Sequence, residues 1–514
     1  MLMPTVLPSV VWFKRDLRLH DHAPLTEAAA RGPVLCLQVT EPGLWSQPDA
    51  ATQHFGFVQE SLRDLAQALQ ARGVQLHRMT GEMPEVLERL WSAARFDRLY
   101  SHEETGNDFT YQRDQAVARW CRERGVVWGE SPQFGVVRRL ASRNGWARRW
   151  AAHVGAPQVA CPPRLTTPAL PWPQAAAPSA ASIGLLDADL PQRQRGGRAA
   201  GIVVLHDFLS ERSAFYRGGI SSPLSAPSAC SRLSPYLAHG CLSLREVVQA
   251  TRERLAELPP DARHHRLGLE AFLSRLAWHC HFIQKLEDEP ELEWRNLHRG
   301  YDGLREDGFN PAHFEALIQG RTGWPLVDAC VAMLRATGWI NFRMRAMLVS
   351  VAAYPLWLHW RPVGEWLARQ FLDHEPGIHW SQLQMQSGTT GINTTRVYNP
   401  IKQARDHDPQ GHFVRRWLPA LRRVPNAWLF EPWRMPEAVQ ARCGVRVGAD
   451  WPLPVVDLER ATREAKARLH QRRALPEVKA AEADIVRRHG SRQRAAEQTG
   501  RTRSAAEAAQ QSLF

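Results

Sequence analysis

The hydrophobic periods along this chain predict two joined folds, a doubly wound parallel α/β sheet followed by an all-α domain. Three observations carry that expectation. Strand-length and helix-length patterns alternate up to about Glu130, a proline-rich stretch interrupts them, and from Gly201 onward only helix-length segments separated by loops follow. The divisions expected are an α/β domain over 1–135, an interdomain linker over 136–199, a helical domain over 200–430, and a basic, partly helical C-terminal extension over 431–514.

Taken in order, Ser9 to Phe13 is a β-rich run, and KRDLRLHDHAPLTEAAARG is a polar loop leading into a helix that Gly32 ends. PVLCLQVT reads as a buried strand. HFGFVQESLRDLAQALQARG has a 3.6-residue apolar period with a glycine stop, VQLHRMTG is a strand, MPEVLERLWSAARF is helical, and DRLYSHEE and VVWGE complete the strands. No G-x-G-x-x-G or P-loop pattern occurs, so an ordinary dinucleotide or nucleoside-triphosphate domain is not expected. Between Val154 and Ala180, Pro157, Pro162, Pro163, Pro168, Pro171, Pro173 and Pro178 forbid regular helix.

The 514 residues are 44% hydrophobic and 23% charged, which is the composition of a folded chain. The amino terminus has no h-region behind a basic start, and charges break every apolar run before membrane-spanning length, so neither a signal peptide nor a membrane partner is expected. Eight cysteines are scattered without a C-x-x-C and read as reduced core thiols of a cytoplasmic monomer. No metal site is expected, because His279-Cys280-His281 lies on a helix where residues two apart do not share a face. A net charge of +13 favours a polyanionic partner, and 20 Trp against 7 Tyr is an unusual surplus of a side chain that stacks on bases and flavins. Between Arg487 and Arg503 six arginines face one acid, Glu497, which reads as a solvated helix or frayed tail.

The stretch Gly338–Pro400 holds polar groups inside sequence that otherwise reads as core. WINFRMRAMLVSVAAYPLWLHW has the content of a buried helix ending near Pro355, yet carries Asn341, Arg343 and Arg345 in its first turns. A buried arginine requires a partner, since stranding one member of a buried pair costs about 3–5 kcal/mol. FLDHEPGIHW supplies Asp373 and Glu375, and QSGTTGINTTRVYNP is expected to be an ordered polar loop. From these residues alone, an Arg–Asp bridge pinning a loop to a helix and a ligand site are both open.

VVWFKRDLRLHDHAPL, SACSRLSPYLAHGCLS, LSRLAWHCHF, GRTGWPLVDA, GWINFRMRAM and YNPIKQARDHDPQGHFVRRWLPAL, in that order over residues 9–424, resemble the cryptochrome/photolyase family. The resemblance implies an all-α FAD-binding domain behind an α/β domain that holds, in some members, an antenna chromophore of pterin, deazaflavin or FMN type. It also implies either a deoxyribodipyrimidine photolyase-type lyase, repairing UV-damaged DNA by light-driven electron transfer, or a blue-light receptor without repair activity. Tyr216, Cys230, Ser231, Arg232, Leu233 and Ser234 then fall in the cofactor cradle, Arg345 and Asp373 form the ion pair behind the flavin ring, and Glu375 contacts the ring edge or sugar. His379 lies opposite the reactive ring nitrogen, with Trp380 as rival. Glu103 and Glu104 are antenna contacts or simply an exposed acidic loop.

Departures from the family pattern cluster on the active-site face. Trp278, which stacks on the lesion in repair enzymes, is present, but the glutamate three residues earlier is Arg275. Phe342 replaces an asparagine, and a lesion-facing Trp-Gln-Trp becomes Leu383, Gln384 and Met385. The catalytic set is therefore Trp278, Arg275, His379 and Met385. Of the family's three relay tryptophans only the middle one is matched, by Trp360, since Leu383 and Asp307 occupy the other positions. Trp357 and Trp380 are the remaining electron-transfer candidates, with Trp366 and Tyr354 nearby. A light-independent flavin oxidoreductase would need a nicotinamide site, and a cofactor-free RNA-binding or scaffold protein would leave the ordered motifs without a role.

Overall fold

The structure is a computed structural model that describes residues 7–168, 170, 177–392 and 396–490. The expected proline stops at Pro171 and Pro173, the polar-loop residues Asn393 to Thr395 and the arginines from Arg492 onward lie outside the described residues.

Five strands, β1 (Ser9–Phe13), β2 (Val34–Thr40), β3 (Leu76–Thr80), β4 (Arg98–His102) and β5 (Val127–Ser131), form one parallel sheet in the order β3-β2-β1-β4-β5. The two-residue period of the strands divides their side chains between two cores. Val10, Trp12, Leu35, Leu37 and Val39 pack with Met83, Val86, Leu87 and Leu90 of helix α3 (Met83–Ala94) and Val117 and Trp120 of α4 (Asp108–Arg124). Val11, Phe13, Val34 and Cys36 pack with Leu25 of α1 (Ala23–Arg31) and Phe57, Leu62, Leu65 and Leu69 of α2 (Thr52–Gln70). The second core does not stop at the sheet. It continues through Phe208, Leu233, Tyr236 and Leu242 to Leu269, Phe272, Leu276 and Cys280 of α5 (Arg263–Asp288), so the helical half shares it.

That contact depends on Gly240. Its φ is +63°, and an added Cβ would stand 2.1 Å from the Arg15 carbonyl oxygen and 2.5 Å from Asp16 Cα. Only glycine lets the two backbones touch there. Leu17 N–H donates to the His239 carbonyl at 3.3 Å, and the buried Arg18 donates to the Gly240 carbonyl at 3.0 Å.

The remaining helices that shape the site are α6 (Pro325–Thr337), α7 (Phe342–Ala353), α8 (Trp360–Gln370), α9 (Pro376–Ser387), α10 (Leu458–Ala474) and α11 (Pro476–His489). After Ser131 the described residues contain no further strand, only an isolated bridge between Val447 and Trp451. The expected division at residue 430 is not a break in packing. Trp451, Leu458 and Ile485 belong to the same core as Leu326 of α6 and Trp360 of α8, and Ala465 and Leu469 pack on Tyr301 and Tyr354. Likewise the 136–199 segment is docked: it includes a helix at Trp146–Gly155, and Trp146 Nε1 donates to Gln284 Oε1 at 3.2 Å.

The acidic loop after β4 is not solvent-exposed as one reading expected. Glu104 accepts from Arg113 at 2.6 Å and lies 3.7 Å from Lys14 Nζ, while Glu103 is 3.7 Å from Arg138. Nearby, buried Asp16 accepts from Lys14 N–H at 2.7 Å, His22 Nε2 at 3.0 Å and His102 Nδ1 at 2.7 Å. His22 Nδ1 accepts from Leu25 N–H, which fixes the proton on Nε2 and leaves that nitrogen a donor to Asp16. The three side chains thus satisfy one another by hydrogen bonds. Burial works to raise the Asp16 carboxyl, but the two histidine hydrogen bonds outweigh it and hold the group well below the usual carboxylate range.

A depressed folded-state carboxylate contributes stability above its unfolded range and loses it as pH falls through the folded value. Asp16→Ala, which strands three donors, is expected to cost about 3 kcal/mol or more in urea unfolding at neutral pH, with the difference from wild type shrinking in acid. A loss under about 1 kcal/mol would show that the cluster is not a keystone of the α/β half.

Candidate active site

One side of the helical half holds a cavity of about 340 Å³. Its walls follow from helical periodicity. On α5 the lining side chains are Phe272, Arg275, Leu276, Trp278, His279 and Phe282; on α7 they are Phe342, Arg343, Arg345, Ala346 and Val349; on α9 they are His379, Gln382, Leu383 and Gln386. The α9 spacing of i, i+3, i+4 and i+7 is one helix face. Tyr216 and the segment Cys230, Ser231, Arg232, Ser234, Leu237 and Ala238 close the remaining side.

Arg345 and Asp373 anchor the wall. Arg345 Nη1 and Nη2 donate to the two Asp373 oxygens at 3.0 and 2.9 Å, Nε donates to the Ile340 carbonyl at 2.8 Å, and the guanidinium lies 4.1 Å over the Phe371 ring. Burial raises the Asp373 carboxyl, but the Arg345 charge and hydrogen bonds prevail and leave it below its ordinary value. Glu375, two residues on, immediately precedes α9 and accepts from Arg15 of the α/β half at 3.0 Å; burial pushes its carboxyl up, with Arg15 opposing.

The 230–238 segment supplies a polar cradle made of side chains. Its helix, Ser234–Ala238, has five residues, so the helix dipole contributes little, and the groups offered are the Ser231 and Ser234 side chains and Arg232. Arg232 adopts φ +60°, donates to Gln194 Oε1 at 3.1 and 2.9 Å, and stacks 3.9 Å over Trp339; burial lowers its guanidinium to about 10. Burial pushes the Cys230 thiol up to about 12 and the Tyr216 phenol above its usual value, so both face the cavity as neutral groups. Leu233 does not line it: the side chain is fully buried in the core shared with the sheet.

Two further expectations are corrected. Met385 does not line the cavity, because 376–387 is a helix and residue 385 sits two positions from Leu383, on another face. Trp357 does not join the other tryptophans. It stands between the guanidinium groups of Arg305 at 4.7 Å and Arg468 at 5.0 Å, in the cluster of Tyr354 and Leu469. Two adjacent cations disfavour an oxidised indole, so Trp357 is a poor relay. Trp360 and Trp380 do meet, edge to face at 5.9 Å, and Trp380 touches cavity-lining His379 at 4.8 Å. Gly364 makes room for that contact, since a Cβ there would come 2.6 Å from Trp380. Trp360 Nε1 donates to Asn296 Oδ1 at 2.8 Å.

Sequence reasoning placed His379, but not Gln382, Gln386 or His374, and treated His279 only as a poor metal ligand. All four line the cavity. The available clue was Pro376 at the first helical position and Gly388 just past the end, which brackets a helix and fixes its face.

The chain matches the family described as "DNA photolyase" over residues 9–136 and the "FAD binding domain of DNA photolyase" over residues 272–471. It is 30% identical over 496 residues to a deoxyribodipyrimidine photo-lyase of Streptomyces griseus, covering 91% of this chain and 99% of that one. It belongs to the cryptochrome/photolyase family. A cryptochrome DASH of Gloeobacter violaceus is 28% identical over 482 residues, covering 87% of this chain and 93% of that protein. Among solved structures, a class III photolyase of Agrobacterium tumefaciens superposes with a TM-score of 0.80 at 25% identity, covering 92% of this chain and 99% of that one.

The cavity fits the cofactor of this family on its own evidence. Asn341, which lines the cavity with Gln382, Gln386, Ser231 and Ser234, is fixed by its amide donating to the Ile220 and Ser221 carbonyls at 2.9 and 3.0 Å. A cavity walled by amides, hydroxyls and one ion pair among aromatic and aliphatic side chains suits a planar ligand with complementary donors and acceptors. Flavin, with alternating ring carbonyls and nitrogens, is one. Asp373→Ala is expected to lower flavin retention severely and reduce stability by about 3–5 kcal/mol, because it strands Arg345; Asp373→Asn is expected to fall between. Unchanged flavin absorbance per mole of protein in Asp373→Ala would refute the anchoring role.

Proposed function

We propose that this protein is an FAD-dependent photolyase that takes a UV pyrimidine photoproduct of DNA into the cavity beside the flavin and reverses it under blue light. The observation that carries this reading is the joint placement of Arg345–Asp373, Trp278 and the polar side chains of Ser231, Ser234, Asn341 and Gln382 around one cavity. Bound FAD supplies a light-excited electron donor. Arg345 and Asp373 would hold and polarise the ring from one side, and Ser231, Arg232 and Ser234 would take the diphosphate.

Chemistry at the mouth supports a nucleic-acid substrate. Trp278 presents an indole with the Arg275 guanidinium 5.7 Å from its centre, and Phe342, an exposed aromatic at the rim, faces the same opening. Aromatic faces take a base by stacking, worth about 1–3 kcal/mol each, and extruding the target from the duplex is the general route to such pockets. Arg275 can donate to a pyrimidine carbonyl or a phosphate, where a glutamate would accept from a base nitrogen. For photoreduction, Trp380 and Trp360 supply a relay in place of the family triad. All eight cysteines are free thiols, which suits a reducing, cytoplasmic setting, and no described helix is long and apolar enough to cross a membrane. We take the acting species to be a monomer. The antenna pigment is left unassigned.

Arg275 also favours a second reading, a blue-light receptor, because it removes the acid that repair enzymes of the family place near the lesion. One experiment separates the two. Illuminated, photoreduced protein is expected to restore pyrimidines in dimer-containing DNA and to bind it better than intact DNA, with Trp278→Ala weakening lesion binding by about tenfold, within the range of one stacking contact. Binding should also weaken by about 0.9 log unit per decade of salt for each phosphate neutralised. Failure to prefer the lesion and to restore the bases would transfer the protein to the receptor class.

A further inference from the structure

The two indoles that meet behind the cavity differ at one atom. Trp360 Nε1 donates to Asn296 Oδ1 at 2.8 Å, and both residues are buried. Trp380 Nε1 is buried as well, but has no hydrogen-bond partner among the described residues. The Asn296 amide has one workable orientation: an indole nitrogen can only donate and a carboxylate can only accept, so Oδ1 faces Trp360 and Nδ2 donates to Asp302 Oδ1 at 2.7 Å. The Asp302 side chain is 40% exposed, so the chain of bonds runs from a buried ring to a carboxylate at the surface. The segment carrying Asn296 is held by the helix that carries Trp380. Gln384, one turn on in α9, accepts from Leu297 N–H at 2.6 Å and donates to the Arg295 carbonyl at 2.7 Å.

An oxidised indole carries a positive charge that its N–H shares, and a hydrogen bond with a charged donor is roughly twice as strong as a neutral one. An acceptor on Nε1 therefore favours the oxidised ring over the neutral one, just as a bond made to the charged form of a titrating group favours that form. Each bond in a chain polarises the next, so the Asp302 charge makes Asn296 Oδ1 the stronger acceptor. Trp380 gains nothing comparable through its own N–H. Neighbouring rings do not offset the difference: burial lowers His359, 5.2 Å from Trp360, and holds His379, 4.8 Å from Trp380, well below the ordinary value, so both are neutral. Arg295 lies 3.8 Å from Asp302, but it is half exposed and shared with Glu291, where solvent screens it.

We propose that Asn296, polarised by Asp302, sets the direction of electron flow through the two tryptophans. One electron leaves Trp380 for the light-excited flavin, one electron then moves from Trp360 to Trp380 across the 5.9 Å edge-to-face contact, and the positive charge comes to rest on Trp360. No proton moves in these steps, because a carboxamide oxygen is too weak a base to take the Nε1 proton. A thiol reductant in solution returns one electron to Trp360 and completes the cycle. Asn296 does not line the cavity, so it is a positioning residue that acts through Trp360. The inference rests on the relay reading of Trp380 and Trp360 and adds what makes that relay run one way.

Flash photolysis of the holoprotein with oxidised flavin reads the tryptophan radical directly. Trp380→Phe and Trp360→Phe test the relay, since each is expected to remove the long-lived radical; wild-type formation and decay in either variant overturns the relay reading itself. With the relay intact, Asn296→Leu keeps the volume and removes the acceptor, so the charge spends more time on Trp380, nearer the cavity. The radical is expected to decay about tenfold faster or more, the worth of one hydrogen bond to a charged group, and the yield of photoreduction by thiol to fall with it. Asp302→Asn, at the exposed end, keeps an acceptor oxygen and loses the charge, and is expected to fall between. In the dark, the Trp360 Nε1–H resonance of nitrogen-labelled protein should move in Asn296→Leu, a readout that needs no light. Radical lifetime and photoreduction yield equal to wild type in both variants overturn the proposal, as does a wild-type Trp360 radical with the spectrum of the deprotonated form. Should Asn296→Leu shed its flavin, Asp302→Asn decides, and a wild-type lifetime there overturns the proposal.

Discussion

The bidentate pair of Arg345 and Asp373 sets where everything else around the cavity can be. It ties the first turns of α7 to the segment entering α9, and those two helices supply two walls of the cavity. Such a pair is weak evidence for stability, because removing two charges from water costs about what their attraction returns. Its value here is positional. The guanidinium uses its third direction on the Ile340 carbonyl and its face on Phe371, so no freedom remains in the angle at which it presents to the cavity. Uncharged residues of similar volume could fill the space, but they would not fix that orientation.

The anchoring extends across the chain's two halves. Arg15 reaches from the end of β1 to Glu375, the His374 carbonyl and the Ala238 carbonyl, while His54 donates to Phe371. With Gly240 allowing backbone contact and one hydrophobic core running from β1 to α5, the α/β half is a structural wall of the cavity and not a detachable module. In this arrangement the electrostatics beneath the cavity floor belong to both halves.

How much of this the sequence displayed depended on the range of the interaction. Alternating periods exposed the parallel sheet because each strand–helix unit is local, and the Arg345–Asp373 pair was visible because charged residues in an apolar run require partners. Contacts between distant segments left no such mark. Asp49 and His374 are 325 positions apart, and neither breaks the pattern of its surroundings. Met385 and Leu233 were misplaced for a different reason, since a chemical resemblance gives residue identity but not the helical phase that turns a side chain toward or away from a cavity. Glu104 was read as exposed because its partners, Arg113 and Lys14, come from other elements. The C-terminal helices were set apart on charge composition, although Leu458, Ala465, Leu469, Val478 and Ile485 all find buried places.

The continuous core from sheet to α5 also governs how the chain can emerge from a ribosome. The face sealed by α3 and α4 is complete once β5 has been made, at residue 131. The opposite face is covered only in part by α2, and Phe57 waits for Tyr236, whose ring lies 5.5 Å away, and for the α5 side chains up to Ile283. At typical synthesis rates those residues arrive roughly five to thirty seconds later. For that interval the nascent α/β half presents a greasy, unfinished surface, and it is in this window that a trigger-type chaperone, binding apolar segments as they leave the exit tunnel, has something to hold.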